Sequence, residues 1–182
     1  LPTRRQRQMC IRDRSPSFAL KLMNKVDLYK KLFGIYSQSA LLKLEKLENR
    51  FNLTPSLVRR LLALEMKTSI PLLIKKEKKY FNQLNNLLGL DHNPDYLGYK
   101  LGEKASIDFL IIKEVKEGFI ITTKDIEKIK KASRKIFTIK FSDVHPLTKN
   151  LNTTKEKINL METFWIGSGF KASKEKLLSL LS

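Results

Sequence analysis

Residues 75–88 read KKEKKYFNQLNNLL, and this stretch decides the fold. Tyr80, Phe81, Leu84, Leu87 and Leu88 follow one another at offsets of one, four, seven and eight. Those offsets keep the apolar side chains on one face of an α-helix and would scatter them over both faces of a strand. Gly89 supplies the left-handed residue that ends such a helix. The same three-and-four recurrence continues on both sides, so the expected class is all-α, an irregular array of about seven or eight amphipathic helices.

Upstream, a helix is expected over residues 17–32, with Gly34 near its end, and another over 39–51 with Leu44, Leu47 and Phe51 on one stripe. Residues 52–55 form a break in which Thr54 reads as a cap and Pro55 as a first-turn proline, because proline lacks a donor that has no partner there anyway. Leu57, Leu61 and Leu64 then share a face, and Ile70-Pro71 interrupts the next link. Downstream, Asn93-Pro94 opens a helix expected to reach residue 116, with Leu97, Leu101, Ala105 and Ile112 along one side. Gly98 and Gly102 cost that helix stability, and either admit a close neighbour or mark a kink.

Residues 118–122, GFIIT, suit a short strand that would pair with 137–141. Thr122-Thr123-Lys124-Asp125 and Thr153-x-x-Glu156 read as capping boxes opening helices to residues 135 and 166. The second of these aligns Ile158, Met161 and Trp165, after which Gly167-Ser168-Gly169 breaks the chain and Ser173 caps a last helix to 181. The expected organisation is a body over 15–150 and a helical tail over 151–182.

The chain has 182 residues, with 36 Lys and Arg against 18 Asp and Glu, a formal charge of +18. Residues 1–14 hold five of the nine Arg and the only cysteine, Cys10, whereas all 27 Lys lie beyond them. Two compositions are joined, so 1–14 is expected to be a non-native, disordered segment, and the rest the C-terminal piece of a longer protein. It has neither the apolar centre of a secretory signal nor the helical apolar face of a transit peptide. Without it, 31 basic and 17 acidic side chains still leave +14.

One cysteine permits no internal disulfide, and with only His92 and His145 beside it no Cys/His zinc site assembles. No metal site is expected, and a reducing, cytoplasmic location is. No apolar run approaches the ~20 residues that span a bilayer, and the apolar helix faces are needed for a core, so no membrane partner is expected. His92 and His145 adjoin prolines and read as loop residues with no nucleophile beside them. No glycine-rich phosphate loop is present and no catalytic residue is assigned. Trp165 reads as core, Asp108 on an apolar stripe needs a partner, and Tyr96 and Tyr99, beside basic residues, can pack inward or face RNA.

The charge itself is informative. Arg59-Arg60, Lys75-Lys76 with Lys78-Lys79, and the run Lys124, Lys128, Lys130, Lys131, Arg134 and Lys135 are clusters on or beside helices. Lys124, Lys128, Lys131 and Lys135 are spaced four, three and four apart, a row about 16 Å long on one helix face. Like charges so placed repel one another, while a phosphate backbone attracts them and releases counterions. A solvated lysine face is the ordinary alternative for any single cluster. For the whole chain the unbalanced charge points to nucleic acid. The expected RNA contacts are Arg59, Arg60, Lys75, Lys76, Lys78, Lys79, Lys100, Lys124, Lys128, Lys131, Arg134 and Lys135, acting on phosphates and sugars more than on base edges.

Three segments, taken in order, resemble the C-terminal helical region of bacterial CCA-adding tRNA nucleotidyltransferases, the class shared with poly(A) polymerases. They are SLVRRLLAL at 56–64 with IKKEKK at 74–79, LGYKLG at 97–102 with Ala105 and Asp108, and LMETFWI at 160–166 with Phe170 and Leu177-Leu178. The chain departs from the family's pattern in having no Gly between 145 and 159, and nothing in it resembles the catalytic head: there is no Asp-x-Asp. The resemblance implies a tRNA-binding portion of an enzyme of tRNA 3′-end processing, with no cofactor held by this chain and no catalysis by it alone. It also implies Mg2+, CTP and ATP in a head lying elsewhere, where paired aspartates hold the metal ions. The rival reading is a free-standing basic helical protein, RNA-associated or a scaffold, without enzymatic activity.

Overall fold

The computed structural model describes residues 38–65, 73–88, 93–148 and 150–181. The expectations for 1–14, 17–32, Gly34, Ile70-Pro71, Gly89 and His92 lie outside these residues. The fold is all-α: among the described residues there are nine α-helices, one final 3-10 turn and no strand. The helices are α1 (Gln38–Arg50), α2 (Leu57–Ala63), α3 (Lys75–Asn85), α4 (Pro94–Leu101), α5 (Glu103–Glu117), α6 (Thr123–Ala132), α7 (Phe141–Thr148), α8 (Leu151–Gly167) and α9 (Lys174–Leu178). They belong to two compact units.

The first unit holds α1, α2, α3 and α5, with α2 packed on α1 and α3. Every residue of α2 is buried, and in α5 so is every residue from Ala105 to Glu114. Helices buried all round are the centre of a bundle rather than its skin. Arg59 and Arg60, expected as RNA contacts, are therefore core residues, 2% and 0% exposed. Glu48 of α1 lies between them. Its Oε1 accepts from Arg59 Nη2 at 2.6 Å and its Oε2 from Arg60 Nη2 at 2.5 Å. Arg59 reaches on to Asp108 of α5, and the second Asp108 oxygen accepts from the Tyr80 hydroxyl of α3 at 2.8 Å. Two guanidiniums and two carboxylates cancel in charge, and four helices are tied to one network. Burial alone would lower the Arg59 pKa, but Asp108 and Glu48 more than compensate and raise it.

The start of α2 differs from expectation for a related reason. Its cap is Ser56, whose hydroxyl accepts from the Arg59 amide, while the Thr54 carbonyl accepts from the Arg59 guanidinium at 2.7 Å. The stretch at 118–122 forms no strand. Ile121 is fully buried, and its amide donates to the Glu114 carboxylate at 2.8 Å, so a side chain takes the place of a strand partner.

The second unit holds α4 and α6 to α9. Asn93 caps α4, with Pro94 in its first turn, as expected. The helix then stops at Gly102 (φ 79°, ψ 170°) instead of running on to residue 116. Gly98 plays the other role open to these glycines: a Cβ there would lie 2.6 Å from the Ile129 carbonyl oxygen and 2.9 Å from Ala132 Cβ, so α6 comes against the bare backbone of α4. Each glycine takes one of the two roles.

The partner strand expected over 137–141 does not form: 137–140 is irregular, and Phe141 opens α7. Asp143 explains the helix: its carboxylate accepts from the Lys140 amide at 2.8 Å, the reciprocal half of a capping box, and that amide together with Lys174 holds its pKa below the ordinary value. His145 is thus helical rather than in a loop, stacked on Phe141 and 3.1 Å from the Thr154 hydroxyl. The cap of α8 is Asn150, not Thr153: its side chain accepts from the amides of Asn152 and Thr153. Thr153 is left inside the first turn. The core here is Ile139, Val144, Met161, Trp165, Ile166 and Leu177, so Trp165 is a core residue. Ser173 caps α9, accepting from the Lys176 amide.

Two outcomes follow for stability. Glu48→Ala leaves two buried guanidiniums short of a carboxylate and is expected to lower the unfolding free energy by about 3–5 kcal/mol, read from urea denaturation. Gly98→Ala, usually favourable in a helix, is expected here to cost about 1–3 kcal/mol, because backbone as well as side-chain atoms of α6 must move.

Candidate nucleic-acid interface

The second unit carries a groove of about 630 Å3 beside α6. Lys128, Lys130, Lys131, Arg134 and Lys135 line it, with Asp95, Glu127, Gly169 and Phe170. Ile129 and Ala132 bury the inner face of α6, which turns its lysines outward. The helix ends at Ala132, so the expected row of four is three helical lysines, Lys124, Lys128 and Lys131, with Lys135 in the turn that follows. Lys124 is exposed but does not line the groove.

Phe170 reaches the groove through the end of α8. The Gly169 amide donates to the Ile166 carbonyl and the Phe170 amide to the Trp165 carbonyl, the paired bonds of a Schellman motif, with Gly169 in the left-handed region at φ 66°. The motif's apolar contact is Phe170 on Trp165, with ring centroids 4.9 Å apart and nearly perpendicular. The Lys135 ammonium then sits 5.9 Å above the Phe170 ring. One cation of the groove is therefore held against an aromatic anchored in the core.

None of the five groove cations makes an ion pair among the described residues. Against Asp95 and Glu127 the lining keeps a formal surplus of +3. Such a surface attracts polyanions. Among the described residues no group of three His, Cys, Asp or Glu side chains is placed to hold a metal ion. No described helix is long and apolar enough to cross a membrane.

The other expected contact residues are dispersed. Lys75, Lys76, Lys78 and Lys79 are exposed on α3 in the first unit. Lys100 pairs with Glu162 of α8 and lies over the Tyr99 ring, so its charge is locally balanced. Tyr96 and Tyr99 pack against the second core rather than standing free, and the Tyr99 hydroxyl donates to Glu162 at 2.7 Å. Lys130, which belongs to the basic run but is not among the expected contacts, joins the groove, as do Asp95 and Phe170, which the charge pattern does not mark. The glycines flanking Ser168 are the available signal for Phe170, since a Schellman end brings the following residue back over the last turn.

Three comparisons, against protein-family models, curated proteins and solved structures, returned no match.

The phenols provide a readout of both units. Burial first, then Asp108, raises the pKa of Tyr80, and burial with the Glu162 hydrogen bond raises that of Tyr99. The unfolded chain releases these protons near pH ~10, before the folded one, so their contribution to stability is complete below that pH and lost above it. Absorbance at 295 nm is expected to show these two tyrosines ionising only as the protein unfolds, and Tyr80→Phe to flatten the alkaline loss of stability.

Proposed function

We propose that this chain is a tRNA-binding helical module of a CCA-adding nucleotidyltransferase, gripping folded RNA while nucleotide addition takes place on a head that its own residues do not supply. The observation that carries the binding half of this reading is the groove of the second unit, where five cations that make no ion pair among the described residues surround a concave surface. Phosphates entering it relieve the mutual repulsion of Lys128, Lys131 and their neighbours and release counterions. Lysine-rich, conformationally free side chains suit phosphate and sugar contact better than reading of base edges.

The tRNA half of the reading is supported by the resemblance of 56–64, 97–102 and 160–166 to that family. The arginines of the first segment then act in the core, and Lys128, Lys130, Lys131, Arg134 and Lys135 are the contact residues, with the exposed α3 lysines as a second patch. The chain holds no cofactor in this reading. Mg2+, CTP and ATP belong to the head, and the setting is the cytoplasm, where tRNA is matured.

Lys128→Glu with Lys131→Glu is expected to weaken binding of unmodified tRNA at least tenfold at low salt, leaving the far-ultraviolet circular dichroism unchanged. The slope of log affinity against log salt should fall by about 0.7–0.9 for each phosphate that no longer meets a cation. Filter binding over a salt series measures both. Binding that is indifferent to the charge reversal removes the groove from the proposal, and equal affinity for tRNA and an unstructured polyanion removes its preference for folded RNA.

A further inference from the structure

A second concavity lies wholly within the first unit and encloses about 740 Å3, a volume in the range that accommodates small organic ligands. Its apolar wall includes Leu53, Leu57 and Ile107, and its polar side includes Lys76, Lys104 and Tyr80. The other charged groups that face it have protein partners, while Glu77 keeps its negative charge. Arg59 is neutralised by Glu48 and Asp108, and the Glu77 carboxylate accepts from the Ile74 amide at 3.1 Å. Lys76 and Lys104 make no ion pair among the described residues.

The two lysines differ in one respect. The Lys104 ammonium lies 5.4 Å above the Tyr80 ring, and that ring is pinned through its hydroxyl to the buried Asp108. A cation held in this way has already lost part of the freedom that binding an anion would remove. Lys76, exposed on the first turn of α3, lines the same cleft.

We propose that this cleft binds an organic phosphate about the size of one nucleotide, its phosphate between Lys76 and Lys104 and its flat or apolar body against Leu53, Leu57 and Ile107. Inorganic phosphate is too small to use the wall, and an uncharged ring system leaves the lysines unanswered. The ligand is either a free mononucleotide or the phosphorylated end of an unpaired strand, which present the same chemistry. This site is separate from the RNA groove and stands or falls without it.

The experiment is calorimetric titration of the whole chain at low ionic strength with AMP, adenosine and inorganic phosphate. AMP is expected to bind at least tenfold more tightly than either fragment, and Lys76→Ala with Lys104→Ala to lower its affinity at least tenfold. Lys128→Glu with Lys131→Glu should leave AMP binding unchanged, which separates this cleft from the groove. A 5′-phosphorylated trinucleotide that displaces AMP identifies a strand end as the source, and failure to displace it identifies the free nucleotide. If the double variant melts at a lower temperature than the parent, Lys76→Ala alone, on an exposed residue, carries the test. Adenosine binding as well as AMP, AMP binding unaffected by the lysine changes, or no AMP binding at all overturns the proposal.

Discussion

The carboxylate of Glu48 sits between two buried guanidiniums, and the first unit is arranged around that contact. A charge removed from water is tolerated only when its donors and acceptors are matched. Here the matching runs through four helices: Glu48 from α1, Arg59 and Arg60 from α2, Tyr80 from α3 and Asp108 from α5. Hydrophobic packing alone would allow α2, a helix of seven residues, to slide or rotate on its neighbours. The directional bonds fix its register, since turning α2 by one residue would carry both guanidiniums away from Glu48. The cleft beside Lys76 and Lys104 inherits its shape from this arrangement, because Arg59, Tyr80 and Asp108 form part of its lining.

In the second unit the corresponding constraint is a missing side chain. Gly98 lets α6 reach the backbone of α4, and only then do Ile129 and Ala132 bury completely. With that face fixed, helical geometry leaves Lys128 and Lys131 no place but the outside. The Schellman turn after α8 brings Phe170 to the same groove and seats it on Trp165. A concave basic surface arises from two backbone features, a close approach and a left-handed turn, as much as from the lysines themselves.

Much of this was legible in the sequence where the signal is local. Periodicity placed α1, α3 and α8, and Asn93-Pro94 and Ser173 marked the starts of α4 and α9, because a cap is satisfied within three residues. Asp108 announced that it needed a partner. What was not legible depends on residues far apart in the chain. Arg59-Arg60 looks like a surface cluster until Glu48 and Asp108, 11 and 49 residues from Arg59, are brought to it. A hint was present all the same: the pair lies in LVRRLLA, where apolar residues occupy every phase of the helix and leave no outer face. At 118–122 the apolar run suited a strand, but a strand needs a ladder, and Glu114 offered the Ile121 amide a nearer acceptor. At α7 the capping contact of Asp143 with Lys140 starts a helix at Phe141, the last residue of the run 137–141 that suited a strand, and Pro146 lies within that helix. The lysines of the groove were legible as a helical row, while Asp95 and Phe170 come from other elements and no spacing connects them to it.

The division of labour between the two kinds of cation follows from their chemistry. Guanidinium is planar, weakly hydrated and carries five donors in a fixed fork, so two carboxylates and a carbonyl can satisfy it away from water. Ammonium is compact and strongly hydrated, and where one is drawn down among the described residues a backbone carbonyl, a ring or a carboxylate receives it, as the Glu114 carbonyl receives Lys43 and Phe119 with Glu117 receives Lys113. Arg59 and Arg60 therefore contribute no field that a ligand can use, although they make up a conspicuous cluster in the sequence. Among the described residues the exposed positive charge belongs to lysines, Arg50 and Arg134. Among these, Lys135 on Phe170 and Lys104 on Tyr80 are held by aromatic rings that are themselves anchored, one through Trp165 and the other through Asp108. In each case the ring contact couples a surface charge to the core of its own unit, and a cation so held has lost part of the freedom that any anion pairing with it would otherwise remove.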